Sequence, residues 1–170
     1  MDPNHYRFRG VWRLPAPASA VYAALEDVRS YPLWWPEIRE VRPTGEESGD
    51  VVVRALLPYR LVIGLVASRR DPAAGVLEVA MRGDLTGWSR FTVTPDAAGP
   101  PAAACSRVLF EEDTRPGKPL LRRLALPLHP LFRANHAVMM HRGRRGLAAY
   151  LAGRTAGDGV ADGGRVAAHR

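Results

Sequence analysis

The chain has 170 residues, of which 46% are hydrophobic and 24% are charged, and its formal net charge is +7. This composition is typical of one globular domain with an ordinary core and excludes disorder of the whole chain. The single cysteine, Cys105, excludes an internal disulfide framework and a four-cysteine zinc site.

The N-terminal part of the chain predicts a strand, a helix and an aromatic cluster. The strand, Tyr6–Leu14, ends at Pro15 and Pro17, because proline cannot continue a ladder but can start a helix. Apolar residues recur every three or four positions over residues 17–28, which predicts a short helix. Residues 31–36 then form a cluster of aromatic residues between prolines. We expect this cluster to pack over another element, because it is too apolar for a solvated loop.

Six more strands are predicted between residues 37 and 114, separated by turns rich in glycine and proline. They cover residues 37–43, 50–57, 60–70, 76–82, 88–94 and 104–114. No helix fits between them, so the pattern indicates an antiparallel meander and excludes alternating strand-helix units.

Successive residues of a strand point to opposite faces of the sheet, so the last three strands predict which face is buried. The apolar face has Leu77, Val79, Met81, Phe91, Val93, Val108 and Phe110. The opposite face has Glu78, Arg82, Trp88, Arg90, Thr92, Arg107, Glu111 and Asp113. The second set carries both signs of charge, which is typical of a solvated surface with cross-strand ion pairs. We therefore expect the first set to form the concave or buried face.

A long amphipathic helix is predicted over residues 131–151, which contain no proline. One side of it is apolar and includes Phe132, His136, Met139 and Met140, whereas the other side is basic. Residues 114–157 carry nine basic side chains and no acidic one, so this region supplies the whole positive charge of the chain. Residues 153–170 are mostly small or charged and are predicted to be a disordered tail.

The order of strand, two short helices, six-stranded meander and long helix resembles the helix-grip fold of the START-like (SRPBCC) superfamily. The local matches are residues 17–25, residues 31–36 followed by Val41, and residues 146–151. The branch that looks most similar is the bacterial polyketide cyclase/dehydrase and lipid-transport group, and the resemblance covers about residues 5–152. It implies an α+β fold in which a curved seven-stranded antiparallel sheet wraps around a long C-terminal helix. The implied domain spans residues 1–152.

The resemblance also implies a cavity between the sheet and the helix. The residues agree, because an apolar helix face with two glycines and two methionines can leave room for an irregular ligand. We therefore expect the protein to bind a hydrophobic small molecule, either a polyketide-like aromatic or a lipid. The alternative is a polyketide cyclase or aromatase-dehydrase that needs no cofactor and acts by acid/base catalysis. A third possibility is an interaction module that uses its basic helix face.

Ten residues are predicted to contact the ligand. They are Trp34, Trp35, Tyr59, Met81, Phe91, Phe110, Phe132, Met139, Met140 and Gly143. For each of the apolar ones the ordinary alternative is a core position. For Tyr31, Trp34, Trp35 and Tyr59 the alternatives are the mouth of a pocket and a cluster that seals one end of the core.

His136 and Glu112 are the candidate catalytic residues, because both are predicted to face the cavity. An imidazole on the apolar stripe of the helix can act as acid or base. Glu112 shares the parity of Phe110, and an apolar environment would suit a general acid. The alternatives are a structural histidine bonded to a backbone carbonyl or to Asn135, and a solvated glutamate that pairs with nearby arginines.

Other chemistry finds no support in the sequence. There is no glycine-rich phosphate loop and no serine nucleophile elbow, and the five histidines are scattered, so we expect neither a cofactor nor a metal. No signal peptide or membrane-length apolar run is present, and we expect a cytoplasmic protein. The basic helix face is either simply solvated or a docking strip for an acidic carrier protein or an anionic membrane surface. No nucleic-acid partner is expected, because aromatic residues do not interleave with the basic ones.

Overall fold

A computed structural model of the chain describes residues 4–54, 60–97, 104–119, 122–123 and 127–162, with side chains described as far as Arg154. It has an α+β architecture, in which a long C-terminal helix packs against one face of a curved seven-stranded antiparallel sheet. The fold class predicted from the sequence is therefore confirmed.

The sheet is an antiparallel meander in which the first two strands of the chain form the two edges. Its strands are β1 (Tyr6–Leu14), β2 (Ile38–Pro43), β3 (Ser48–Val53), β4 (Leu61–Asp71), β5 (Val76–Gly83), β6 (Leu85–Pro95) and β7 (Ser106–Pro116). Their order across the sheet is β1-β7-β6-β5-β4-β3-β2. The first strand thus pairs with the last, and β1 and β2 are the two edges.

The helices whose bounds the structure describes cover the concave face. They are α1 (Ala18–Glu26), α2 (Tyr31–Trp34) and α3 (His129–Asp162), with a 3-10 turn at Val28–Ser30. The α3 helix continues past residue 151, where the sequence analysis ended it, so the first part of the predicted tail is helical. Residues 163–170 lie outside the described residues, and their disorder stays a prediction. None of the described helices combines the length and the hydropathy needed to cross a bilayer.

The predicted division of the sheet into two faces is confirmed. Every predicted member of the concave face on β5, β6 and β7 is buried or half-buried. On the outer face Arg90 Nε donates to Glu78 at 2.7 Å, and Arg7 Nε donates to Asp113 at 2.9 Å. Cross-strand ion pairs therefore stabilise the solvent side, as the mixed charges indicated.

One turn is shorter than the sequence suggested. The glycines at Gly83 and Gly87 predicted a turn over residues 83–87, but β6 already begins at Leu85. Asp84 explains the tight connection, because its buried carboxylate accepts the Val62 N–H at 2.9 Å and pairs with Lys118 at 2.9 Å. Gly87 lies inside the strand, with a φ of 143° and the Asp113 carbonyl directly beside it.

The Glu78 carboxylate predicts a pH dependence of stability. Its hydrogen bond from Arg90 holds its pKa below the usual range, so the pair stabilises the fold fully above the unfolded pKa of about 4.3. This contribution is lost as the pH falls through the lower folded-state pKa. We expect Glu78→Gln to cost about 0.2–1 kcal/mol at neutral pH and progressively less in acid. Urea unfolding between pH 7 and pH 3 measures this, with the exposed Glu46→Gln as control; an equal loss at all pH values would contradict it.

Candidate functional site

A cavity of about 250 Å³ lies between the concave face of the sheet and the first half of α3. The sheet contributes mostly aliphatic and aromatic side chains, such as Ile63, Val79 and Phe91, and α3 contributes residues between Phe132 and Met140. The wall is thus largely apolar, which favours a hydrophobic occupant.

Most of the predicted site residues lie on this wall. They are Trp35, Met81, Phe91, Phe110, Glu112, Phe132, His136, Met139 and Met140. Two others, Trp34 and Gly143, do not line the cavity. Tyr59 lies outside the described residues, so its predicted contact with the ligand stays a prediction.

Trp34 and Gly143 belong to the contact between α2 and α3. A Cβ atom on Gly143 would stand 2.5 Å from the Trp35 ring, so this ring fills the space beside the glycine. A Cβ on Gly146 would overlap the Trp34 carbonyl oxygen. The two glycines therefore form a notch that receives the Trp34–Trp35 segment, which is why neither Trp34 nor Gly143 reaches the cavity.

The large aromatic side chains of residues 31–36 are buried and close one end of the core. The polar atom of each of these three side chains has a partner inside the protein: Tyr31 Oη donates to the Leu25 carbonyl at 2.6 Å, Trp34 Nε1 to Ser30 Oγ at 3.3 Å, and Trp35 Nε1 to the Met139 carbonyl at 3.1 Å. Burial also raises the pKa of the Tyr31 phenol well above its ordinary value. Tyr31 and Trp35 line the cavity as well, so the aromatic cluster forms part of its wall.

His136 and Glu112 are brought together at the cavity wall. His136 Nε2 lies 3.3 Å from Glu112 Oε2, and the two side chains are only 14% and 9% exposed. The imidazole stacks on Phe8 with ring centroids 3.7 Å apart, and the centroid of the Phe110 ring lies 5.8 Å from it. The structure therefore brings an imidazole and a carboxyl group, two side chains of the kinds that serve as general acids and bases, together among aromatic rings.

Arg70 is a cavity residue that the sequence analysis missed. Register shifts between Ala67 and Arg69, so that Ser68 is an extra residue on β4. Past this bulge Arg70 pairs with Leu77, which belongs to the concave face. Strict alternation from Ile63 would instead have turned Arg69 inward. Both registers turn an arginine inward, so the sequence carries no signal of the bulge.

Arg70 also stands where two cavities meet. It lines the main cavity and a neighbouring one of about 170 Å³, which is rimmed by Glu26, Asp27 and Glu47. Among the described residues Arg70 has no ion-pair partner. A free guanidinium at the edge of an apolar cavity is suited to bind an anionic or carbonyl group of a ligand.

An ion pair between an exposed arginine of α3 and a buried glutamate links the helix to the segment before β2. Arg142 Nη1 lies 3.2 Å from Glu37 Oε1, and the Glu37 side chain is only 4% exposed. The second oxygen, Oε2, is buried and has no hydrogen-bond partner among the described residues. Arg142 is therefore the main compensation for the buried charge of Glu37.

We expect Arg142→Met to destabilise the protein by roughly 1–3 kcal/mol, because Glu37 would remain buried without its partner. Arg145→Met, one turn along α3 at an exposed position without an ion pair, is the control and should change stability by less than about 0.5 kcal/mol. Chemical unfolding of both variants measures the difference. Equal stability of the two variants would show that the pair contributes nothing.

The chain matches one family of known proteins over most of its length. A family model described as polyketide cyclase / dehydrase and lipid transport matches residues 6–152. A search of curated proteins found no match.

Several solved structures share the fold at low sequence identity. TTHA0849 from Thermus thermophilus is 15% identical, with a TM-score of 0.69 over 88% of this chain and 99% of its own. The aromatase/cyclase ZhuI from a Streptomyces species is 14% identical, with a TM-score of 0.68 over 89% and 96%. A START superfamily protein from Mycobacterium smegmatis is 18% identical, with a TM-score of 0.58 over 81% and 95%. At these identities the likeness concerns the fold alone. Because the family model spans nearly the whole described domain, the chain belongs to the polyketide cyclase/dehydrase and lipid-transport family of the START-like superfamily.

Proposed function

We propose that the protein binds a hydrophobic small molecule, a polyketide-like aromatic or a lipid, in the cavity between the sheet and α3. The observation that carries this proposal is the apolar cavity of about 250 Å³ with its few polar groups at defined places. Aromatic rings from Trp35, Phe91 and Phe110 offer flat surfaces for stacking, and the methionines adapt to irregular shapes. The family model points to the same ligand classes.

The polar groups of the cavity lie at two separate places, so they would orient a bound ligand. His136 and Glu112 lie together on one part of the wall, and Arg70 lies at the rim. A ligand with an apolar body could pack against the apolar wall, and a carbonyl or acidic oxygen on it could accept hydrogen bonds from His136 and Arg70, so that no charge is left unpaired. We therefore favour oxygenated ligands over pure hydrocarbons.

The second candidate function is cyclisation of a polyketide chain without a cofactor, and the His136–Glu112 pair is the observation that favours it. In such a reaction a base removes a proton from carbon next to a carbonyl, and that carbon attacks a second carbonyl. The new alkoxide takes up a proton, and water then leaves with a proton from the ring carbon. In this proposal His136 accepts and returns these protons, and Glu112 orients the imidazole through the contact between Nε2 and Oε2. The shaped cavity would supply proximity.

Ligand-induced stabilisation tests the binding proposal. We expect the unfolding midpoint to rise with some members of a panel of aromatic polyketide-like compounds and fatty acids. A ligand at about a hundredfold excess over its Kd adds about 2.7 kcal/mol, because it binds only the folded state. A panel in which no apolar compound changes the midpoint would count against both candidate functions.

Two histidines on α3 separate binding from catalysis. His136 lines the cavity, whereas His141 is exposed on the other side of the helix. If the protein is a cyclase, His136→Ala should lower kcat by about a hundredfold or more, while His141→Ala should leave it unchanged. Turnover that survives in His136→Ala would exclude His136 as the acid/base group.

A cytoplasmic location, and an acidic carrier protein or anionic membrane as partner, stay predictions.

A further inference from the structure

We propose that the outer strip of α3 is a docking surface for an acidic, helical surface of another protein. The outer strip comprises Arg133, Ala134, Ala137, His141, Arg142, Arg144, Arg145 and Ala149. This inference goes beyond ligand binding and does not depend on which molecule the cavity holds.

The outer strip carries positive charge that the rest of the helix face does not neutralise. No acidic residue occurs between residues 114 and 157, so the arginines of the outer strip have no acidic partner one turn away along α3. Arg142 pairs with Glu37 from outside the helix, and Arg133 lies over the Phe8 ring. Arg144 and Arg145 have no ion-pair partner among the described residues. The strip therefore offers unpaired cations, which attract an acidic surface over about a Debye length.

The shape of the outer strip suits a second helix. At 3.6 residues per turn, Ala134, Ala137 and His141 lie along the middle of the strip, with arginines on both sides. All three side chains are exposed, and the alanines are small. Small side chains in the middle of a helix face let a second helix approach to the usual 8–10 Å, while the flanking arginines meet carboxylates.

The same residues argue against a membrane surface. Helices that lie on a bilayer bury large apolar side chains such as Trp, Phe or Leu. Along the described part of α3 the only exposed large apolar side chain is Leu131, at the very start of the helix. The strip itself has none, so a bilayer would be held by charge alone. An acidic protein helix uses both the charge and the shape of the strip.

Docking here would act on the helix that closes the cavity. The inner side of α3 contributes Phe132, His136, Met139 and Met140 to the cavity wall. The outer strip is therefore the far side of the same helix, and a partner bound to it would lie next to the ligand compartment without covering the Gly143–Gly146 notch.

A synthetic peptide probe tests the proposal with the full-length protein. The probe is an amphipathic helix with glutamates on both flanks of an alanine face, and its counterpart has glutamines instead. We expect the acidic peptide to bind and the glutamine peptide not to bind. Fluorescence anisotropy should show the affinity falling severalfold between about 50 mM and about 200 mM salt.

Charge-reversal variants locate the site. Arg144→Glu/Arg145→Glu should weaken binding about tenfold or more, because two attractions become two repulsions. The control, Arg39→Glu/Arg107→Glu, makes the same change of net charge at exposed positions on β2 and β7 and should alter Kd by less than about twofold. Unfolding midpoints confirm that both proteins are folded.

Three results would overturn the proposal. The first is that the acidic and the glutamine peptides bind equally, or that neither binds. The second is that both pairs of reversals weaken binding to the same extent, which would mean an effect of net charge. The third is that Arg144→Glu/Arg145→Glu weakens binding to vesicles containing phosphatidylserine but leaves binding to the acidic peptide unchanged. The strip would then be a membrane-binding surface.

Discussion

Gly146→Ala is expected to destabilise the protein by about 3 kcal/mol, the upper end of what overpacking usually costs, although the same substitution usually stabilises a helix. The reason is local: the new methyl group would overlap the carbonyl oxygen of Trp34. Neither group can move alone, because Trp34 is buried and α3 is held by the hydrogen bond from Trp35 to the Met139 carbonyl. The helix must therefore move away from α2, and the thermal midpoint should fall by roughly 6–12 °C.

Gly153→Ala on the same helix is the matched control. A Cβ atom at Gly153 meets nothing within 4 Å, so only the helix propensity changes. We expect a gain of about 0.5–1 kcal/mol. If the same substitution lowers the free energy of unfolding at residue 146 and raises it at residue 153, the packing of α3 on α2 decides the result. If Gly146→Ala stabilised the protein as much as Gly153→Ala, the described contact between α2 and α3 would be wrong.

Ser89→Phe is expected to abolish ligand binding while the fold is kept. Ser89 lies on the concave face between Val79 and Glu112, and it lines the cavity. A phenyl ring there would occupy space that the ligand needs, and it would be buried against an apolar wall. The stabilisation of about 2.7 kcal/mol expected at a hundredfold excess of ligand should therefore disappear. In a thermal scan this is a loss of roughly 5–10 °C of ligand-induced shift.

Thr92→Phe provides the comparison on the same strand. Thr92 belongs to the outer face of β6, so its ring would point away from the cavity. Ligand-induced shifts in Thr92→Phe should match those of the unmodified protein. Persistent shifts in a folded Ser89→Phe variant would place the ligand elsewhere.

The fold could be predicted because its signals are local. Alternation along β5, β6 and β7 separated the buried face from the charged one, and proline and glycine marked most strand ends. Glu112 shows the value of parity, since its position relative to Phe110 correctly indicated that its side chain faces the cavity. Those patterns depend only on neighbouring residues in the chain.

Other features depend on contacts between distant segments and were not predictable. The β4 bulge that brings Arg70 inward is a mismatch between two strands, in which β4 has one residue more than the facing part of β5. The contact between Gly143 and the Trp35 ring was not predictable either, because the sequence does not show which side chain lies beside this glycine. Likewise the pairing of Glu37 with Arg142 joins residues that are far apart in the chain.

The most direct test of a ligand between the sheet and α3 uses the methionines. The chain has four, and three of them, Met81, Met139 and Met140, line the cavity from both sides. With methyl-labelled methionine and assignment by Met→Leu substitution, NMR can detect contacts between these methyl groups and a bound ligand. The account predicts shifted signals and intermolecular NOEs from both Met81 on the sheet and Met139 or Met140 on the helix. A ligand that raises the unfolding midpoint but leaves all three methyl signals unchanged would contradict it.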